Sequence, residues 1–118
     1  MPKPKIQIKR VYDACSKEDG LRVLVDRLWP RGISKGKAQI DLWMKSLAPS
    51  AELRTWFSHE SQKWPKFKER YRKELRKNEK ELETLIAATK KGPLTLLFAA
   101  KETQFNNAAA LKDYLESR

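Results

Sequence analysis

The stretch Leu21-Arg22-Val23-Leu24-Val25-Asp26-Arg27 is β-branched and nearly continuously apolar in its middle. That pattern suits a central strand buried on both faces, as in a parallel sheet. A second run, Leu94-Thr95-Leu96-Leu97-Phe98-Ala99-Ala100, has the same character. Upstream, Ile6-Gln7-Ile8-Lys9-Arg10-Val11-Tyr12 alternates apolar and polar residues, the period of a half-buried strand. Residues 40–47 alternate Ile40, Leu42 and Met44 with polar or aromatic neighbours and fit a strand or a short helix.

Helical periods fill the space between these runs. Leu53, Trp56 and Phe57 follow Ser50 at helical spacing, so 50–58 reads as a short helix capped by Ser50, with Glu52 in its first turn. Trp64, Phe67, Tyr71, Leu75, Leu82, Leu85 and Ile86 trace one stripe, which predicts a single helix over 62–90 ending before Gly92-Pro93. Pro65 is tolerated near its start. A last helix is predicted over 107–117, with Ala108, Leu111, Tyr114 and Leu115 inward. Asp13–Gly20 and Leu28–Lys37 read as loops. Strands alternating with helices give the fold class α/β: a single domain over 1–118, with a mainly parallel sheet and helices packed on its faces in a Rossmann-like layering.

The 118 residues carry 26 Lys and Arg against 15 Asp and Glu, a net charge of +11. Such a surface attracts anions: phosphates, nucleotides, nucleic acid or acidic proteins. The excess is uneven. Residues 61–91 hold 11 basic and 5 acidic residues, whereas 92–118 hold three of each. Hydrophobic residues are 40% and charged residues 35%, a globular composition. No apolar run of about 18 residues exists, and no membrane association is expected. A basic N-terminus without an apolar stretch argues against a secretory signal, and the single Cys15 against a disulfide framework; the expected location is cytoplasmic. One histidine and one cysteine are too few for a zinc site, and no cofactor is expected.

In open parallel sheets, ligands bind beyond the carboxyl ends of the strands. Two strands here run into polar segments, Asp26–Gly32 and Lys101–Asn106, and the second leads into a helix N-terminus. They predict a rim that binds a phosphorylated or nucleotide-like anion. Arg27, Arg31 and Lys101 would hold the anion, Gly32 would shape the loop, Trp29 would stack on a planar group, and Asn106 would orient the ligand by donating a hydrogen bond. Asp26 and His59 are the candidates for proton transfer. Cys15 reads as incidental, and Trp43, Trp56 and Trp64 read as core or interface residues. An alternative is a nucleic-acid-binding module on the 62–90 helix. There Lys66, Arg70, Lys73 and Lys77 would form a basic face, aided by Lys3, Lys5, Lys9 and Arg10. Against it stands a solvated helix laced with pairs such as Glu69–Lys73. The chain alone leaves both a monomer and a homodimer open.

The string Arg22-Val23-Leu24-Val25-Asp26-Arg27-Leu28-Trp29-Pro30-Arg31-Gly32 closely resembles the signature of the YeaO-like family, domain of unknown function 488. Leu47-Ala48-Pro49-Ser50, Leu53-Arg54-Thr55-Trp56-Phe57, His59 followed by an acid, and Thr95–Lys101 with Asn106 continue the match in order, over roughly residues 6–116. The resemblance implies a small single-domain α/β protein and no assigned reaction. This chain departs from the family pattern where members often have Asp, with Glu60 and Glu102, and where they often have His on either side of the Asn, with Phe105 and Asn107. If those histidines serve catalysis or metal binding, this chain lacks that capacity.

Overall fold

A computed structural model describes residues 5–58 and 60–117, the side chain of Lys35 excepted. Four strands form one sheet: β1 (Ile6–Arg10), β2 (Leu21–Leu24), β3 (Leu42–Trp43) and β4 (Leu94–Phe98), in the order β1-β4-β2-β3. Every pairing is parallel, with Ile8 and Val23 flanking Leu96 in register. The two continuous apolar runs are thus the two central strands, and all five β4 residues are buried. All four carboxyl ends lie along one edge of the sheet.

The helices are α1 (Lys35–Ala38), α2 (Ala51–Phe57), α3 (Trp64–Leu75), α4 (Glu79–Thr89) and α5 (Asn107–Glu116). Helices α2 to α5 send Leu53, Phe57, Phe67, Tyr71, Leu82 and Leu111, among others, against one sheet face, formed by Ile6, Val23, Val25, Leu96 and Phe98. The opposite face presents Leu24 and Leu97, which pack with Ala38, Ile40, Trp29 and Ile33 from α1 and its flanking loops. Successive strand residues point to opposite faces, so Arg22 and Thr95 share this second face with Leu24 and Leu97. Both are buried and bonded to Asp19: Arg22 donates from its guanidinium to the carboxylate, and Thr95 Oγ1 to the Asp19 carbonyl at 2.7 Å.

The predicted 62–90 helix is two helices. A 3-10 turn over Arg76–Asn78 separates α3 from α4, and Asn78 donates its side-chain amide to the Ser46 carbonyl at 3.1 Å. Leu75 and Leu82 are seven residues apart, two helical turns, so the apolar stripe stays in phase across the break and conceals it. The 40–47 segment is a two-residue strand followed by a 3-10 turn over Lys45–Leu47, with Leu42 and Trp43 exposed at the sheet edge. The short helix after Ser50 forms as expected, with Ser50 Oγ accepting from Leu53 N at 3.1 Å.

Gly20 joins the Asp19 turn to β2 at φ 64°, and a Cβ there would lie 2.1 Å from the Pro93 carbonyl oxygen. That oxygen accepts from Leu21 N, so it is fixed in the sheet. Gly20→Ala is expected to cost about 2–3 kcal/mol, from left-handed backbone and overpacking together. Urea denaturation checks this, and a loss below about 1 kcal/mol, the scale of a helical Gly/Ala difference, would contradict it.

Candidate functional site

Beyond the carboxyl edge of the sheet lies a cleft of about 630 Å³. The Asp26–Arg31 segment after β2 forms one wall, and Ala48, Pro49, Ala51, Arg54 and Thr55 from the approach to α2 and from α2 itself form another. Tyr12 after β1, Ala99 and Ala100 after β4, and Asn106 and Asn107 at the start of α5 close the remainder. Phe57 and Phe67 reach it from the core. The Asp26–Arg31 segment meets Asn106 at this cleft because β2 and β4 are parallel neighbours, whereas residues 101–105 of the second polar segment do not line it.

Three arginines line this cleft: Arg27, Arg31 and Arg54. All three are exposed. None makes a side-chain hydrogen bond or an ion pair among the described residues. Their opposite is Asp26, half-buried beside them. Its Oδ2 accepts from Ala99 N at 2.8 Å and its Oδ1 from the Asn107 amide at 3.1 Å. The same Asn107 amide reaches the Val25 carbonyl at 2.9 Å. Burial pushes the Asp26 carboxyl above its ordinary range, against the lowering effect of these two hydrogen bonds and of the Arg54 charge.

The loop itself is braced. Trp29 Nε1 donates to Ile33 O at 2.7 Å, Trp43 Nε1 to Asp26 O at 2.8 Å, and Tyr12 to Arg31 O at 3.1 Å. The two indoles meet edge to face, with centroids 5.3 Å apart. Trp29 lines the cleft, and its N–H is engaged in the loop. Gly32 has φ 71° and does not line the cleft, so its contribution is the turn after Arg31. A second constraint comes from α3. Both oxygens of Glu74 accept from Ser50, at 2.8 Å from its N–H and 2.7 Å from its hydroxyl, which seats the helix carrying Arg54.

Several residues singled out in the sequence take other roles. Asn106 is buried as the N-cap of α5: its oxygen accepts from Ala109 N at 2.8 Å and its amide donates to Glu102 O at 2.9 Å. It borders the cleft with its oxygen claimed by the helix start and one amide N–H given to Glu102, which leaves its second amide N–H as a donor. Lys101 is exposed and does not line the cleft. His59 lies outside the described residues. Lys9 and Arg10 are likewise committed, Lys9 to Asp19 at 3.0 Å and Arg10 to the carbonyls of Ala99 and Ala100. Glu69 pairs with Lys66 at 3.8 Å rather than with Lys73. Arg54, Tyr12 and Asn107 were not singled out as site residues. Arg54 lies beside the buried Leu53 and Phe57 stripe of α2, one residue after the first and three before the second, so the spacing alone does not single it out.

Where the family often has histidine, Phe105 packs edge to face on Trp64, with centroids 5.4 Å apart, and Asn107 holds Asp26. Glu102, in a position where members often have Asp, accepts from Gln104 N at 2.8 Å and Phe105 N at 3.3 Å. Among the described residues, no group of three or more metal-ligating side chains gathers, and no helix is long and apolar enough to cross a membrane.

A family model described as the inactive subclade N3 of domain of unknown function 488 matches residues 5–118. An uncharacterised Escherichia coli (strain K12) protein, YeaO, is 49% identical over 112 residues, covering 95% of this chain and 97% of its own. An uncharacterised Mycobacterium tuberculosis (strain H37Rv) protein, Rv3073c, is 36% identical over 114 residues, covering 97% and 96%. No solved structure matches the chain. A match over nearly the whole length, together with the parallel sheet and the braced Asp26–Gly32 loop, settles kinship: the chain belongs to the YeaO-like proteins of domain of unknown function 488, in its inactive N3 subclade.

Proposed function

We propose that this protein binds a phosphorylated or nucleotide-like anion in the carboxyl-edge cleft and does so as a binding protein rather than a catalyst. The observation that carries this reading is the set Arg27, Arg31 and Arg54, three cations around one cleft with no hydrogen-bonded or ion-paired partner among the described residues. Guanidinium groups match phosphate oxygens bidentately, and a cleft of about 630 Å³ is of small-ligand size. The non-catalytic part rests on the side chains present. The positions flanking Asn106 hold an aromatic ring and an amide, neither of which transfers protons near neutral pH. Of Asp26 and His59, Asp26 is the one described in the cleft, and its two oxygens are held by backbone and amide donors.

Arg31→Ala is the direct test. Arg31 is exposed, so the unliganded protein is expected to keep its stability within about 0.5 kcal/mol. Affinity for a phosphorylated probe is expected to fall roughly 10- to 100-fold, the loss of one charge-assisted contact. Thermal-shift titration with nucleotides and sugar phosphates reads both quantities. Equal shifts in wild type and variant would remove Arg31 from the site.

The nucleic-acid reading keeps one support. Lys73 and Lys77 are exposed, with no ion pair among the described residues. Two members of the same stripe are engaged: Arg70 stacks on Trp56 at 4.1 Å, and Lys66 pairs with Glu69. If all four contacted phosphates, binding would weaken with salt at a logarithmic slope of about −3 to −4. A flat salt dependence with oligonucleotides would exclude it.

A further inference from the structure

We infer that Asp26 selects the ligand by its body rather than its charge: the cleft takes phosphate monoesters that also present an O–H or N–H donor, as sugar phosphates and nucleotides do. The inference rests on reading the cleft as an anion site and names the second half of what that site recognises. A carboxylate has about four acceptor positions, two on each oxygen. In Asp26 one position on each oxygen is filled, by Ala99 N–H and by the Asn107 amide, and the residue lines the cleft. No cation among the described residues forms an ion pair with it, although the Arg54 charge acts on it from a greater distance.

The remaining acceptor positions set the chemistry. A phosphate beside Asp26 would bring two anions together in a partly desolvated site, so the phosphate belongs at the Arg27 and Arg31 rim. What Asp26 can accept is a neutral donor on the rest of the molecule. The walls between are apolar, from Pro30, Pro49, Ala51 and Phe67. With a ligand body bound against them, they would keep water from the carboxylate. Ala99 N–H and the Asn107 amide, itself anchored on the Val25 carbonyl, each hold one oxygen of the carboxylate, so the acceptor is positioned before the ligand arrives. A ligand without a donor would leave a half-buried carboxylate facing apolar atoms, the arrangement by which hydrogen-bonding sites reject analogues.

The test is calorimetric titration of the full chain with phenyl phosphate, ribose 5-phosphate and guanosine monophosphate. Wild type is expected to bind at least one of the two donor-bearing probes about 10-fold or more tighter than phenyl phosphate. A gain with ribose 5-phosphate assigns the donor to sugar hydroxyls, and a gain with the nucleotide alone assigns it to the base. Asp26→Asn is expected to weaken the preferred probe roughly 10- to 100-fold while leaving phenyl phosphate within about threefold. Asparagine keeps an oxygen for Ala99 N–H, but its new N–H faces the Asn107 amide that also holds the Val25 carbonyl, so the comparison between probes in one variant, rather than the absolute loss, reads the acceptor. Phenyl phosphate binding as tightly as the others in wild type overturns the inference without any variant, as does an equal loss for all probes in Asp26→Asn. In both cases Arg31→Ala would still weaken every probe if the anion site is right. Binding of none of the three by wild type overturns the anion site, and this inference with it.

Discussion

An Asp19→Ala protein is expected to be about 3–5 kcal/mol less stable than wild type, because the substitution leaves a buried guanidinium without its counter-charge. Both side chains of the Asp19–Arg22 pair are almost wholly buried, at 3% and 4% exposure. Asp19 also takes a hydrogen bond from Lys9 at 3.0 Å and closes a capping box with Ser16. Arg22 keeps bonds to Gln39 O and Ala38 O after the substitution, but carbonyl dipoles do not replace a carboxylate. The damage extends to the sheet. Arg22 lies on β2 and Thr95 on β4, and both reach the Asp19 turn, which in turn fixes the chain entering β2 through Gly20. At roughly 4 °C per kcal/mol for a domain of this size, the melting temperature should drop by about 12–20 °C. Urea denaturation with an unchanged m-value is the cleaner readout. A loss under about 1 kcal/mol would mean that the network is no more than a surface ion pair.

The two aspartates give opposite pH signatures. Burial alone would raise the Asp19 carboxyl, but the bonds from Lys9, Ser16 N and Arg22 outweigh it and hold it below the ordinary carboxylate range. A folded-state value below the unfolded one stabilises above the unfolded value and is lost as pH falls through the folded value. Wild-type stability should therefore decline below about pH 4, and this acid limb should be shallower in Asp19→Ala. Asp26 is shifted upward, so the folded chain binds its proton more tightly than the unfolded chain. Its contribution is greatest in acid and diminishes as pH rises from the ordinary aspartate value through the raised one. Besides burial, the groups acting on it are Asn107, Ala99 N–H and Arg54. In Asp26→Asn, the stability difference from wild type should become less favourable to wild type across that window. Denaturation between pH 3 and pH 8 separates the two limbs, and a difference that does not vary with pH would contradict the Asp26 assignment.

How far the sequence could be read follows from which forces act locally. The central strands were legible because continuous apolar runs leave a strand few options other than burial on both faces, and parallel order followed from the helices between them. The break at Arg76–Asn78 was not, because a seven-residue step preserves the phase of the stripe and the cause is a distant bond from Asn78 to Ser46 O. The convergence of Asp26–Arg31 with the start of α5 was legible for a topological reason: neighbouring parallel strands end on the same edge. Asn106 borders the cleft, and its place immediately before a helix has a second consequence: the unsatisfied N–H groups of that helix claim its side-chain oxygen. Arg54 and Asn107 became site residues only through packing, one through the seating of α2 by Glu74, the other through the approach of α5 to the end of β2.

Phe67→Ala is expected to cost a further large amount, about 3–5 kcal/mol, and to affect the cleft as well as the core. Phe67 is buried at 2% exposure and stacks on Phe57 with centroids 4.3 Å apart, with Trp64 at 5.6 Å and Tyr71 at 5.7 Å. Removing the ring leaves a void where these rings meet and forfeits their mutual contacts. Tyr71, which donates to the buried Leu47 carbonyl, would lose its neighbour, and Leu47 immediately precedes the Ala48-Pro49 wall of the cleft. The same substitution would therefore loosen Pro49 and Ala51 and, through α2, Arg54. Phe67→Leu refills most of the volume without aromatic stacking, so it should recover more than half of the lost stability. Measured together, the two variants distinguish wall from scaffold. If ligand affinity follows stability across Phe67→Ala and Phe67→Leu, the ring acts by holding α2 in place. If Phe67→Leu restores stability but leaves affinity at the Phe67→Ala level, the ring is itself a contact surface for the ligand body. A Phe67→Ala protein within about 1 kcal/mol of wild type would contradict both, since the aromatic cluster would then not be the joint between the core and the cleft.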